Sequence, residues 1–325
     1  MSANDKTLID DYLSVADDVF DVVRSGYDTR FSAAQIFTFD LGNVFFDRIA
    51  NAARAFAAAT LEKHGLNMVG DDPFMGIRKH AEDLTNLTAN GALMPRQEIE
   101  GNYELLHRSI VEMIDAHDGE AMFDVGQCPI NLRFSMRERI ERLVDHPYPS
   151  WKPHTDSWAG EPIDSINCII PLYHDVDGIN LEAMPATPET VANTLSPFPS
   201  YDEASKQIEL LPPYDIDMAA GRGMFLDPRL VHRTLLDNLG DLRVSLDFRF
   251  RPRLSTHTAL KERLDVAPGA KNVTYVDYTS WREIGRTRRY HTERAIADGA
   301  PPVAGCAGWK NHRYDDKFRS ELRPS

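Results

Sequence analysis

The stretch Trp151-Lys152-Pro153-His154-Thr155-Asp156-Ser157-Trp158 decides how the rest of the chain is read. On an extended segment, residues i and i+2 project to one face, so the His154 imidazole and the Asp156 carboxylate converge on one point. A nitrogen and a carboxylate oxygen together suit a divalent first-row metal of intermediate hardness. Downstream runs Val231-His232-Arg233-Thr234-Leu235-Leu236-Asp237-Asn238-Leu239-Gly240-Asp241-Leu242-Arg243-Val244-Ser245-Leu246-Asp247-Phe248-Arg249-Phe250. His232 lies in an apolar stretch, and Arg243 and Ser245 alternate with Val244 and Leu246 at strand spacing. The turn residues Asn238-Leu239-Gly240-Asp241 lie between them. Two antiparallel strands joined there are expected to set Arg243 close behind His232.

Context separates these residues from chance. A chain with 11 histidines contains about one H-x-D by composition alone. The pairs His80/Glu82 and His291/Glu293 read as surface or turn residues. His312 precedes Arg323 and Ser325 at the same offset as His232 precedes Arg243 and Ser245, but Pro324 splits that pair and strand alternation is missing. His174 with Asp175 and Asp177 is a rival cluster, set where a strand ends in a loop and without a matched third ligand. His154, Asp156 and His232 together form a 2-His-1-carboxylate triad. Such a triad covers one face of an octahedral metal and leaves the other open, as in non-haem Fe(II) oxygenases. Arg243 would then grip the distal carboxylate of 2-oxoglutarate two-pronged, with the Ser245 hydroxyl as a further donor.

Working outward, the 325 residues allow one large domain or two small ones. A composition 42% hydrophobic and 26% charged supplies enough apolar side chains for a core. Lysine and arginine number 36 against 50 acidic residues, a net charge of −14. So acidic a chain argues against nucleic acid or an anionic membrane as partner, because both need basic surface. The three cysteines, Cys128, Cys168 and Cys306, are too few and scattered for a disulfide framework or zinc site, which fits a reducing cytoplasm. There is neither a signal-like leader nor a run of apolar residues long enough to span a bilayer.

Helices are expected over Leu8–Val23, over Asn43–His64 with its alanine run stopped by Gly65, and over Glu98–His117. From about Met122 short apolar runs alternate with Gly, Pro, Asp and Asn, and strands are expected at Ser165–Leu172, Ile208–Leu211, Gly223–Leu226 and Leu242–Phe250. Neither GxGxxG nor GxxxxGK[ST] occurs, which removes the usual nucleotide loops. The simplest organisation is a single domain, mainly β with flanking helices. A mostly helical wrapping segment (1–120) precedes a β core (121–255) and a C-terminal extension (256–325).

In these residues the chain resembles the Fe(II)/2-oxoglutarate-dependent oxygenase superfamily. The wording around them resembles its phytanoyl-CoA-dioxygenase-like branch, especially bacterial members from antibiotic and carbohydrate biosynthetic clusters. The resemblance rests on His154-Thr155-Asp156-Ser157-Trp158, on Ser165-Ile166-Asn167-Cys168-Ile169-Ile170-Pro171-Leu172 and on the segment from His232 to Arg249. It implies a double-stranded β-helix, or jelly roll. It implies Fe(II) held by His154, Asp156 and His232, and 2-oxoglutarate held by Arg243 and Ser245, with O2 as the second co-substrate. The implied reaction is hydroxylation of an unactivated C–H bond of a small molecule (sugar-like, antibiotic or another secondary metabolite), with release of succinate and CO2. Related halogenases leave the carboxylate position to chloride. Asp156 fills it here, which favours hydroxylation or another oxidative C–H reaction.

Strand alternation makes Asn167 the candidate for the inner carboxylate of 2-oxoglutarate. Trp158 is a candidate pocket wall, against the alternative of core packing. Arg249, on the strand face of Arg243 and Ser245, is a candidate for an anionic or polyhydroxylated substrate, against the alternative of an ion pair with an aspartate. Arg233 reads as a salt-bridge residue. Met184-Pro185-Ala186-Thr187-Pro188 stands where many members carry Gly-Ser-His before a long insertion, so substrate contacts of that loop do not carry over. The competing enzyme reading is a cupin-like isomerase or dioxygenase of the same architecture that does not use 2-oxoglutarate. A binding or structural jelly roll with a degenerate site is the non-enzymatic one. A homo-oligomer is compatible with either.

Overall fold

The structure, a computed structural model, describes residues 29–33, 35–88, 90–117, 119–141, 149–159, 165–174, 181–185, 198–216, 219–227, 229–235, 242–252, 275–279 and 281–282. The expected helix over Leu8–Val23, the turn at 238–241, Asp175, Asp177 and the chain after Arg282 lie outside them.

Chain order among the described residues begins β1 (Thr29–Ala33), β2 (Ile36–Asp40), α1 (Asn43–Lys63), α2 (Pro73–Lys79), β3 (Ala92–Leu93) and α3 (Glu100–Asp115). It continues with α4 (Gly119–Met122), β4 (Phe123–Gln127), β5 (Asn131–Ser135), α5 (Arg137–Glu141), β6 (Ile166–His174), β7 (Leu181–Met184) and α6 (Tyr201–Ser205). Last come β8 (Arg222–Leu226), β9 (Val231–Thr234), β10 (Arg243–Pro252) and β11 (Tyr275–Asp277). Nine of these strands form one antiparallel sheet in the order β1-β2-β8-β6-β10-β4-β11, with β5 also on β10 and β3 on β5. β7 and β9 form a separate antiparallel pair. The described chain is thus mainly β with helices on one side.

The period-2 pattern decides which face does what. From β10, Val244, Leu246, Phe248 and Phe250 join Phe37, Phe39, Phe134, Cys168, Ile170 and Phe225 on the helix-covered face. α1 supplies Ile49, Ala53, Phe56, Ala57 and Leu61, and α3 supplies Tyr103, Leu106, Ile110, Met113 and Ile114. Each large apolar side chain taken out of water contributes about 1.5–3 kcal/mol, so this layer dominates stability. At Gly223, paired with Phe39, a Cβ would come within 2.2 Å of the Phe39 ring, so only glycine lets that ring lie flat across β8. On the opposite face Ile36, Met224 and Leu226 pack against Leu181, Ala183, Leu230 and Ile216, closing the small β7–β9 pair over the large sheet.

α1 and α3 correspond to the helices expected over Asn43–His64 and Glu98–His117, and Gly65 takes the left-handed φ of +68° just past α1. Two expectations are corrected. Ile208–Leu211 is irregular chain after α6, not a strand; among the described residues no strand pairs with it. The segment before residue 121 also contributes strands: β1 and β2 extend the main sheet, and β2 pairs with β8. Ile36-Phe37-Thr38-Phe39 is buried on both faces, so its sequence carries no polar alternation to announce a strand. Finally, β9 and β10 do not form a hairpin. β9 pairs with β7, while β10 pairs with β6 on one edge and with β5 and β4 on the other. The turn residues at 238–241 signal only a reversal; burial of both faces of β10 in the centre of the large sheet determines its partners.

Candidate metal centre

His154 and His232 are backbone partners. His154 N–H donates to the His232 carbonyl at 3.0 Å, and His232 N–H donates to the His154 carbonyl at 2.8 Å. Two residues that exchange both bonds are directly opposed, and their side chains leave on one side. The rings stand 4.4 Å apart, centroid to centroid. Asp156 follows two residues after His154 at the start of a short 3-10 turn, Asp156–Ala159, which swings its carboxylate back toward both rings. One ligand atom from each of His154, Asp156 and His232 lies within 4.8 Å of the other two, and all three residues are buried.

Nitrogen chemistry at the two rings is fixed by the backbone. His154 Nδ1 donates to the Lys152 carbonyl at 2.7 Å, and His232 Nδ1 donates to the Leu230 carbonyl at 2.9 Å. A carbonyl only accepts, so each Nδ1 carries a hydrogen and Nε2 is the ring nitrogen left to bind a metal. Burial, and then the neighbouring His232, push the His154 pKa down to about 3, so this ring stays neutral. His232 Nε2 stands 3.9 Å from Asp156 Oδ1. That is too long for a hydrogen bond, so the two groups face each other without bonding directly.

Asp156 presents one oxygen and has the other held. Oδ2 accepts from Asn167 Nδ2 and lies 3.7 Å from Arg249 Nη2. Burial raises the Asp156 pKa, but Arg249, the two imidazoles and the Asn167 amide outweigh it and hold the carboxyl below its ordinary value. It is therefore an anion at neutral pH. Two imidazole nitrogens and one carboxylate oxygen fit a divalent first-row ion such as Fe(II).

The polar face of β10 leads away from this cluster. Arg243, Ser245, Asp247 and Arg249 alternate with its core residues. Arg249 Nη1 donates to Gln127 Oε1 at 3.3 Å and lies 3.6 Å from Asp247 Oδ1. Arg243 Nη2 donates to Ser135 Oγ at 3.2 Å, and Ser135 stands directly opposite Arg243 in the β5–β10 register. Burial, and then the nearby Arg133, lower the Arg243 pKa to about 10, with Asp247 opposing. Arg133 itself forms an ion pair with Asp247 Oδ2 at 2.7 Å.

Asn167 and Arg249 both converge on Asp156. Trp158 is fully buried in an aromatic cluster with Phe198 and Tyr201. Arg233 pairs with Glu182 at 2.5 Å. Sequence reasoning missed Tyr201, whose ring stacks on His154 at 4.2 Å and 13°. Its signal was the capping motif Ser200-x-x-Glu203, in which Ser200 Oγ accepts from Glu203 N–H at the start of α6. Arg133 and Ser135, an R-x-S pair with no histidine at the offset that links His232 to Arg243 and Ser245, were not among the candidates. They reach the site only through strand register, which local sequence does not carry.

Among the described residues no helix is long and apolar enough to cross a membrane. No family profile and no curated protein matches the chain. Several solved structures are similar to it, among them the following two. AviO1 from Streptomyces viridochromogenes Tue57 shares 17% identity over 68% of this chain and 90% of its own, with a TM-score of 0.39. SnoN, described as a non-heme alpha ketoglutarate dependent epimerase from nogalamycin biosynthesis, shares 16% identity over 72% of this chain and 85% of its own, with a TM-score of 0.33.

Proposed function

We propose that this chain is an Fe(II)- and 2-oxoglutarate-dependent oxygenase that hydroxylates a C–H bond of a small molecule. In this reading it is a single-domain cytoplasmic enzyme whose two sheets belong to a double-stranded β-helix. The observation that carries it is the convergence of His154 and His232, with Nε2 the nitrogen left on each ring, on the one available oxygen of Asp156.

His154, Asp156 and His232 would hold the ferrous ion on one side and leave its opposite side open. The bound ion supplies oxygen activation coupled to decarboxylation of 2-oxoglutarate to succinate and CO2. The chain does the rest. Arg243 and Ser245 anchor the distal carboxylate, Arg243 with a guanidinium already oriented by Ser135. Asn167 and Arg249 pin Asp156 Oδ2, so that Oδ1 faces the metal. Tyr201 and Trp158 wall the His154 side with aromatic surface and exclude water there.

The test is succinate formation from 2-oxoglutarate by protein supplied with Fe(II) and O2. The parent chain releases succinate, and candidate substrates stimulate the release. His154→Ala, Asp156→Ala and His232→Ala each abolish it, because the ligand set is incomplete. Near-parental turnover in any of the three would remove the assignment.

A further inference from the structure

Between β8 and β9 lies a buried ion pair that the site described above does not use. Asp227 and Arg229 are two residues apart, and their side chains are 3% and 2% exposed. Arg229 Nε donates to Asp227 Oδ1 at 2.6 Å, Arg229 Nη2 donates to Oδ2, and the Arg229 backbone N–H donates to Oδ1 at 2.8 Å. One carboxylate thus takes three donors from one residue. Taking two charges out of water is costly, and an apolar pair of similar volume often stabilises a fold as well or better. What the two-pronged pair adds is one fixed geometry for the chain that carries it.

That chain leads to a metal-site imidazole. Asp227 N–H donates to the Gln35 carbonyl at 2.9 Å, one step past the Ile36–Leu226 pair of the β2–β8 ladder, so Asp227 is tied to the large sheet. The Asp227 carbonyl accepts from Leu230 N–H at 2.9 Å, and the fully buried Leu230 side chain lies in the apolar cluster with Ile36 and Leu226. The Leu230 carbonyl in turn accepts from His232 Nδ1 at 2.9 Å. His232 belongs to the small β7–β9 pair, so this relay spans both sheets. Each imidazole uses the carbonyl two residues before it, but the supports differ. Lys152, whose carbonyl holds His154, is tied through Nζ to Asp202, a side chain 60% exposed. Leu230 is held through groups that water does not reach.

We propose that Asp227 and Arg229 are positioning residues for His232: their clasp fixes the Leu230 carbonyl, and that carbonyl sets the ring so that Nε2 faces Asp156 Oδ1. This rests on the proposed metal site and adds to it two residues outside the ligand set. The clasp holds a ligand carried by the small sheet in place against the large one.

The experiment is anaerobic metal titration of the full chain, with Asp227→Ala/Arg229→Met as the clasp-free form. Removing both charges together strands neither of them in the interior. Fe(II) affinity falls about ten- to a hundredfold, the range for groups that orient a ligand from behind. Asp227→Asn/Arg229→Met, which keeps an acceptor for the backbone N–H at position 229, recovers part of the loss. Ni(II), which nitrogen and oxygen ligands bind more tightly than Fe(II), then reads the incomplete sites, counted above the binding of a chain lacking both imidazoles. In His154→Ala, where His232 remains, losing the clasp weakens Ni(II) by the same factor; in His232→Ala it changes nothing. If the clasp-free form binds Fe(II) like the parent while His232→Ala is weakened, the inference fails and the functional reading stands. Equal clasp losses in His154→Ala and His232→Ala also overturn it, because the effect then belongs to the fold. If the parent itself has no tight Fe(II) site, the functional reading fails with it. Should the clasp-free form not fold, Asp227→Asn/Arg229→Met must show the same dependence on His232, and the absence of that dependence overturns the inference.

Discussion

At the residue scale the Asp156 carboxylate has one oxygen for a metal and one for the protein. Asn167 Nδ2 donates to Oδ2 from β6, and Arg249 approaches the same oxygen from β10, its directly paired strand neighbour. Groups that orient a ligand from behind typically tune metal affinity by about ten- to a hundredfold. Asn167→Leu, similar in volume but without a donor, is therefore expected to weaken Fe(II) binding by about that factor, measured by anaerobic titration. Unchanged affinity would mean that Arg249 alone suffices to aim Asp156. The same residues show what was legible in sequence. His154 and Asp156 share a face by local i, i+2 geometry, so their convergence could be read directly. That Asn167 meets Asp156 rather than projecting independently depends on how the turn at Asp156–Ala159 folds back over β6, which no local pattern encodes.

Elements tell a different story. α3 and the segment 275–282 are tied together through His107: Tyr103 Oη donates to His107 Nδ1 at 3.2 Å, and His107 Nε2 donates to the Trp281 carbonyl at 2.8 Å. Burial pushes the His107 pKa down from 6.5 to about 4, against the Trp281 carbonyl, which raises it. A histidine whose folded pKa lies below its unfolded value contributes stability that is complete above the unfolded value and is lost as pH falls toward the folded one. Stability is thus expected to decline between about pH 6.5 and about pH 4, by up to about 3 kcal/mol from this group. Urea unfolding across that range checks it: His107→Gln should flatten this part of the profile, and an unchanged slope would exclude His107 as its source.

Element by element, sequence periodicity located α1, α3, β6, β8 and β10, because each has one clear pattern of apolar positions. It failed at β2, buried on both faces, and at Ile208–Leu211, apolar but without a partner strand among the described residues. It also failed for the partner of β9: nearest-neighbour turns are local, while the choice of β7 is settled by Leu181 and Ala183 packing onto the far sheet.

On the scale of the whole molecule the division of labour is between the two faces of one large sheet. The helix-covered face holds the stability, with Phe37, Phe39, Phe225, Phe248 and Phe250 pressed under α1 and α3. The other face keeps its polar side chains, from Arg133 and Arg243 at one end to Arg249, Asn167 and Asp156 at the other, and the β7–β9 pair closes over it with His232. The large sheet holds Asn167, Arg243, Ser245 and Arg249, and the β7–β9 pair with its bridge to His154 holds the two imidazoles, so the geometry is set without ligand present. The most direct check is anaerobic Fe(II) titration of the parent chain and of His154→Ala, Asp156→Ala and His232→Ala. The account predicts one equivalent bound tightly by the parent and tight binding lost in all three variants. Parental affinity in any one of them, or no tight site in the parent, would contradict it.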